Sequence, residues 1–86
     1  MITGNDYPAE LLANVVNVSA IVVRDPGQGR EKVFHKYRTI RARAANLARF
    51  QRSMYFLGDQ YGQLIHINYY EKDTHRFLYQ WRNDFG

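Results

Sequence analysis

The chain has no cysteine. Disulfides, thiolate metal sites and cysteine nucleophiles are therefore excluded together, and a reducing, cytoplasmic setting is expected. No stretch approaches the roughly 18 apolar residues that a membrane span requires. Residues 1–10 carry no basic region followed by an apolar run, so neither membrane insertion nor signal-directed export is expected. Histidine is sparse, and His35, His66 and His75 fall at no ligand spacing, so no metal is expected. Gly27-Gln-Gly29 lacks the following lysine and hydroxyl residue of a phosphate-cradling loop and reads as a turn. No cofactor of any kind is indicated.

Carboxylates are also scarce, eight against twelve lysines and arginines, for a net charge of +4. Their distribution is uneven. Residues 1–29 hold one basic and three acidic residues, residues 30–56 eight basic and one acidic, and residues 57–86 three basic and four acidic. Nearly all the positive field originates in the middle third, the pattern of an electrostatic docking surface.

What is abundant is apolar and aromatic side chain, 45% and 15% of the 86 residues. That content offsets the entropy of ordering a chain of this length, and one domain over 1–86, ordered from roughly residue 7 to 82, is expected. Asp6-Tyr-Pro-Ala-Glu10 followed by Leu11-Leu12-Ala13 predicts a short leading helix ending near Asn14. Val15 to Val23 is dense in β-branched residues and predicts a strand with Val16, Val18, Ala20 and Val22 on one side. Asp25-Pro-Gly-Gln-Gly29 predicts a reversal. Lys32 to Arg38 then alternates Val33, His35 and Tyr37 against Lys32, Phe34, Lys36 and Arg38, completing a first hairpin.

From Thr39 through Met54 neither glycine nor proline occurs, and helix formers dominate, so Thr39 is read as the cap of a helix. At 100° per residue, Ile40, Ala44, Leu47, Phe50 and Met54 share an arc of roughly 120°, with Arg41, Arg49 and Arg52 nearly opposite. Gly58-Asp-Gln-Tyr-Gly62 reads as a turn. Gln63 to Tyr70 sets Leu64, His66, Asn68 and Tyr70 against Ile65, Ile67 and Tyr69. After the polar reversal Glu71-Lys-Asp-Thr74, Phe77, Tyr79 and Trp81 share one side of a fourth strand. The fold expected is α+β in two layers, in ββαββ order. Two hairpins make a sheet of about four antiparallel strands, and one amphipathic helix covers one face. The other face is left wet or partner-bound.

Tyr69, Tyr70, Phe77, Tyr79 and Trp81 could stack bases, but the set shares its periodicity with Ile65 and Ile67 and is read as core; Tyr70 breaks from it and is read as a surface aromatic. The candidate binding residues are Lys32, Lys36, Arg38, Arg41, Arg49, Arg52, Tyr70 and Arg76. Guanidinium forks held at fixed spacing suit phosphates or carboxylates. Glu71 and Asp73, in a solvated turn, do not make a convincing acid–base pair, and an enzyme is not expected.

The leading expectation is a non-catalytic module docking its basic helix onto an acidic surface of a protein or nucleoprotein complex. Inhibitors made by phages and mobile elements, of the anti-CRISPR type, have this build. The alternatives are a sequence-nonspecific DNA- or RNA-binding protein and a small basic ribonuclease toxin; the uncovered sheet face is also a surface on which a homodimer could form. No membrane partner is expected.

Overall fold

The computed structural model describes Tyr7, Pro8, Leu11, Leu12 and residues 16–84. Among these, the elements are strands β1 (Asn17–Asp25) and β2 (Val33–Arg41), helix α1 (Ala44–Phe56), a single turn α2 (Gly58–Tyr61), and strands β3 (Gln63–Glu71) and β4 (Phe77–Arg82). The strands form one antiparallel sheet in the order β2-β1-β3-β4. The α+β, ββαββ arrangement expected from the sequence is the one observed. No helix among the described residues is long and apolar enough to cross a membrane. The leading helix falls largely outside the described residues. Within them Leu11 and Leu12 are helical, their N–H groups donating to the carbonyl of Pro8 at 3.0 and 3.3 Å.

β1 sits between β2 and β3, so β2 and β3 run in the same direction, and the chain between them must cross the sheet. α1 makes that crossing and covers one face. Val18, Ala20 and Val22 of β1 point into this layer with no exposed surface, against Leu47 and Met54 of α1 and Ile67 and Tyr69 of β3. Each such aliphatic side chain removed from water contributes about 1.5–3 kcal/mol. The buried aromatics pack by their edges: Tyr37 against Phe50 at 5.1 Å and Tyr7 against Tyr79 at 6.0 Å, while Tyr69 and Tyr79 stack at 6.4 Å. Tyr69, Tyr79 and Trp81 belong to this core layer.

α1 begins at Ala44, not at Thr39. The pairing of β2 with β1 continues through Ile40 opposite Val18 and Arg41 opposite Asn17, and Ala42 N–H then reaches the Val16 carbonyl at 3.0 Å. Ladder hydrogen bonds and two β-branched residues outweigh helix propensity here. Arg43 occupies the N-cap position without a side-chain cap. The helix therefore buries Leu47, Ala48, Gln51 and Met54, with Phe50 partly covered, while Ala44 is exposed. Gln51 is accommodated because the Tyr7 hydroxyl donates to its Oε1 at 2.7 Å. Val16, placed with the core by strict alternation, is 69% exposed because it precedes the paired strand.

Three irregularities reset the alternation. On β2, Ile40 pairs with Val18 and Tyr37 with Ala20, so β2 carries one extra residue. On β3, His66 pairs with Val23 but Leu64 with Arg24, so Ile65 is the extra residue and Leu64 joins Ile67 on the helix side. On β4, Tyr79 pairs with Tyr69 but Phe77 with Tyr70, so Leu78 is extra and Phe77 leaves the side of Tyr79 and Trp81. A bulge turns every later side chain to the opposite face, a displacement that an unbroken period of two cannot register. Asn83, beyond the last strand, is tied back by its N–H to Ile65 O and its Nδ2 to Leu64 O.

Arg24 is the next residue in the buried series of β1 and has no exposed surface. Its NH2 donates to the Met54 carbonyl at 2.6 Å and its NH1 to the Gly62 carbonyl at 3.1 Å. A cation at the C-terminal end of α1 meets the negative pole of the helix and occupies a carbonyl that the helix itself leaves open. Burial lowers the pKa of the guanidinium, and the nearby phenols of Tyr37 and Tyr61 act in the opposite direction. Gly62 must come close for this contact: at φ 109° it lies where a Cβ would meet Asp25 O at 2.8 Å and Pro26 Cα at 2.9 Å.

Replacement of Arg24 by alanine is expected to cost about 3–5 kcal/mol in urea unfolding, from two charge-assisted hydrogen bonds and the cavity left behind. Arg24→Met, which retains the stem but not the donors, is expected to recover only part of that loss.

Candidate functional site

Ser19, Ile21 and Val23 alternate with the buried series of β1 and point to the face that α1 does not cover. Three cross-strand rows follow from the register. Val23 lies beside Phe34 of β2 and His66 of β3, which in turn pairs with Arg82. Ile21 lies beside Lys36 and Asn68, and Asn68 Oδ1 accepts a 2.8 Å bond from Gln80 Nε2. Ser19 lies beside Tyr70, which pairs with Phe77, their rings 5.7 Å apart edge to face.

This open face has an apolar floor and exposed aromatics. Val23 and Ser19 are buried beneath their neighbours, while Phe34 is 65% and Phe77 53% exposed. The side chains in the three rows include Lys36 and Arg82 and no carboxylate. Arg38, next on the same side of β2, adds a third cation. At the Ser19 end a concavity of about 230 Å³ is bounded by Ser19, Lys36, Arg38, Lys72 and His75, the last two from the β3–β4 turn.

The residues singled out from sequence divide between two surfaces. Lys36, Arg38 and Tyr70 share the open sheet face. Arg41 lies at the end of β2 rather than on the helix, and together with Arg38 and Arg49 it lines a groove between the edge of β2 and α1. Arg52 is exposed on α1, near enough to Tyr7 to act electrostatically on its phenol. Lys32 is exposed ahead of β2. Arg76 is engaged by Glu71 at 3.4 Å, the one ion pair among the described residues. The arginine face expected of the helix, Arg41, Arg49 and Arg52, is therefore reduced to Arg49 and Arg52, because Arg41 belongs to the strand.

Sequence reasoning passed over Phe34, Lys72 and Arg82, weighed His66 and His75 only as metal ligands, and read as core Phe77, which is 53% exposed. Phe34 carried a signal, since it shares its side of β2 with Lys36 and Arg38. Phe77 was concealed by the bulge at Leu78, and Lys72 and His75 reach Lys36 only because the sheet brings the second turn beside the first hairpin. The three histidines stand apart: His35 meets the edge of Tyr61 at 6.0 Å on the helix side, His66 lies on the open face, and His75 lies in the turn.

Burial lowers the pKa of His66 below its ordinary 6.5, with Arg82 acting in the same direction. The folded protein therefore takes up this proton later than the unfolded chain as pH falls. Stability contributed by neutral His66 is complete above about pH 6.5 and declines below it, as the unfolded chain protonates first. Thermal melts are expected to show a lower Tm at about pH 5.5 than at about pH 7.5, with a smaller difference in His66→Asn.

No protein-family model matches the chain, and neither the curated proteins nor the solved structures include a match to it.

Proposed function

We propose that the chain is a non-catalytic binding module whose open sheet face takes single-stranded nucleic acid. The observation that carries this reading is the coincidence on one uncovered face of exposed Phe34 and Phe77, half-buried Tyr70, and the cations Lys36, Arg38 and Arg82. Isolated surface aromatics are ordinary; three on one face, Phe34 in the Val23 row and the Tyr70–Phe77 pair in the Ser19 row, with cations on the same face and no carboxylate in the rows, are not. Bases stack on such rings, and the backbone follows the positive charge, without any need for sequence-specific hydrogen bonds.

A second surface supports docking onto an acidic protein, including the phage-inhibitor reading. β2 is an edge strand, and the groove beside it carries Arg38, Arg41 and Arg49 next to Tyr37 and Phe50. An extended acidic segment could add to that edge through backbone hydrogen bonds. The open face is preferred because its exposed rings have a direct counterpart in unpaired bases.

Fluorescence anisotropy with single-stranded DNA and RNA tests the assignment. With three cations engaged, affinity is expected to fall roughly 20-fold between about 50 and 200 mM salt. Phe34→Ala and Phe77→Ala are each expected to weaken binding about tenfold. Arg41→Gln/Arg49→Gln is expected to change it by less than about threefold, these residues lying outside the face. Binding that depends on Arg41 and Arg49 but not on Phe34 or Phe77 would move the site to the groove, and salt-insensitive binding would sink the nucleic-acid reading.

A further inference from the structure

We propose that the concavity formed by Ser19, Lys36, Arg38, Lys72 and His75 is a seat for a terminal phosphate, the monoester at the end of a nucleic-acid strand. The assignment rests on the nucleic-acid reading of the open face and adds to it which part of the strand docks where.

The site is assembled from three separate pieces of chain: β1 supplies Ser19, β2 supplies Lys36 and Arg38, and the turn after β3 supplies Lys72 and His75. Its volume of about 230 Å³ corresponds to about eight waters, room for a phosphate and part of its hydration. The exposed cationic side chains of Lys36, Arg38 and Lys72 border it, and none of them is in an ion pair among the described residues. An anion seated among them is attracted by each, with no carboxylate in the lining to compete.

The nearest acidic residues do not supply that anion. Glu71 already accepts from Thr74 Oγ1 at 2.8 Å and from Arg76 at 3.4 Å, and exposed Asp73 does not line the concavity. Ser19, nearly covered at the floor, is left with a hydroxyl that can donate to an oxygen above it.

The chemistry distinguishes a strand end from its interior. A phosphate monoester carries close to two negative charges and three acceptor oxygens, whereas an internal diester carries one charge and two free oxygens. Three cations, a hydroxyl and an imidazole around one concavity match the former. Tyr70 is paired directly with Ser19, and exposed Phe77 stands against Tyr70, so a base attached to the seated phosphate has a ring to lie on.

The test compares one single-stranded DNA sequence carrying a 5′-phosphate, a 3′-phosphate or hydroxyls at both ends, by anisotropy with the intact chain. A parallel titration with inorganic phosphate is followed by amide NMR. One of the phosphorylated ends is expected to bind about tenfold tighter than the hydroxyl ends, the scale of one charge-assisted hydrogen bond. Lys72→Ala is expected to bring that ratio to about one, Lys72→Arg to preserve most of it, and Arg30→Ala, exposed in the β1–β2 turn and outside the concavity, to leave it in place. Inorganic phosphate is expected to shift the amides of Ser19, Lys36, Lys72 and His75.

Equal affinity for phosphorylated and hydroxyl ends overturns the strand-end assignment even where the oligonucleotides bind. If no oligonucleotide binds, the nucleic-acid reading fails, and the phosphate titration decides the rest. Shifts confined to the concavity would then identify a seat for a small phosphoester, and their absence would remove the seat altogether.

Discussion

A buried guanidinium joins the layers of this fold. Arg24 comes from the central strand β1, takes a carbonyl from the last full turn of α1 and another from Gly62 at the entrance to β3. An arginine in that position can be satisfied only if strand, helix end and loop are in register at once. Desolvating it without a carboxylate partner is costly, and its Nε has no hydrogen-bond partner in the described structure. What offsets the cost is that two backbone carbonyls, otherwise left without donors, are satisfied by one planar fork. The close approach of Gly62 to Asp25 and Pro26 follows from the same constraint.

That junction also determines which face of the sheet remains open. With α1 pinned at its C-terminal end beside β1 and β3, its apolar side covers Val18, Ala20, Val22, Ile67 and Tyr69, and no second helix among the described residues is long enough to cover the reverse side. Most of the aromatic residues are divided accordingly, Tyr55, Phe56 and Tyr61 lying exposed at the end of α1 and in α2. Tyr37, Phe50, Tyr69, Tyr79 and Trp81 supply the core layer, while Phe34, Tyr70 and Phe77 stand on the uncovered side. The division gives each set a physical role: burial of the first stabilises the domain, and exposure of the second is tolerated at an energetic disadvantage that a bound partner would relieve.

The charge pattern is divided by the same geometry. A run of eight basic residues between Arg30 and Phe56 looks like one surface along the chain, yet it is folded over an edge. Lys36 faces the open side of β2, Arg38 borders both the concavity beside Ser19 and the groove against α1, Arg49 and Arg52 ride on α1, and Arg41 lines that groove. Lys72 and His75 come from a segment whose net charge is negative. They strengthen the open face because the β3–β4 turn lies at the same end of the sheet as Ser19 and Arg38, a consequence of strand order.

The sequence alone determined what depends on neighbours in the chain. These are an antiparallel sheet with one main helix, a hairpin about Pro26 and Gly27, the alternation of Val33, His35 and Tyr37 against Phe34, Lys36 and Arg38, and the apolar stripe through Leu47 and Met54. Local sterics and periodicity act over a few residues and are readable there. Tertiary structure alone decided whether Thr39 to Arg41 would be helix or strand, because the choice turns on whether β1 offers unpaired backbone groups. It decided the bulges at Ile65 and Leu78, which send Leu64 inward and Phe77 outward, and it drew Arg24 inside. It also gathered Ser19, Lys36, Arg38, Lys72 and His75 around one concavity. These outcomes depend on hydrogen bonds and charges between residues far apart in the chain, whose energies exist only once the sheet has closed.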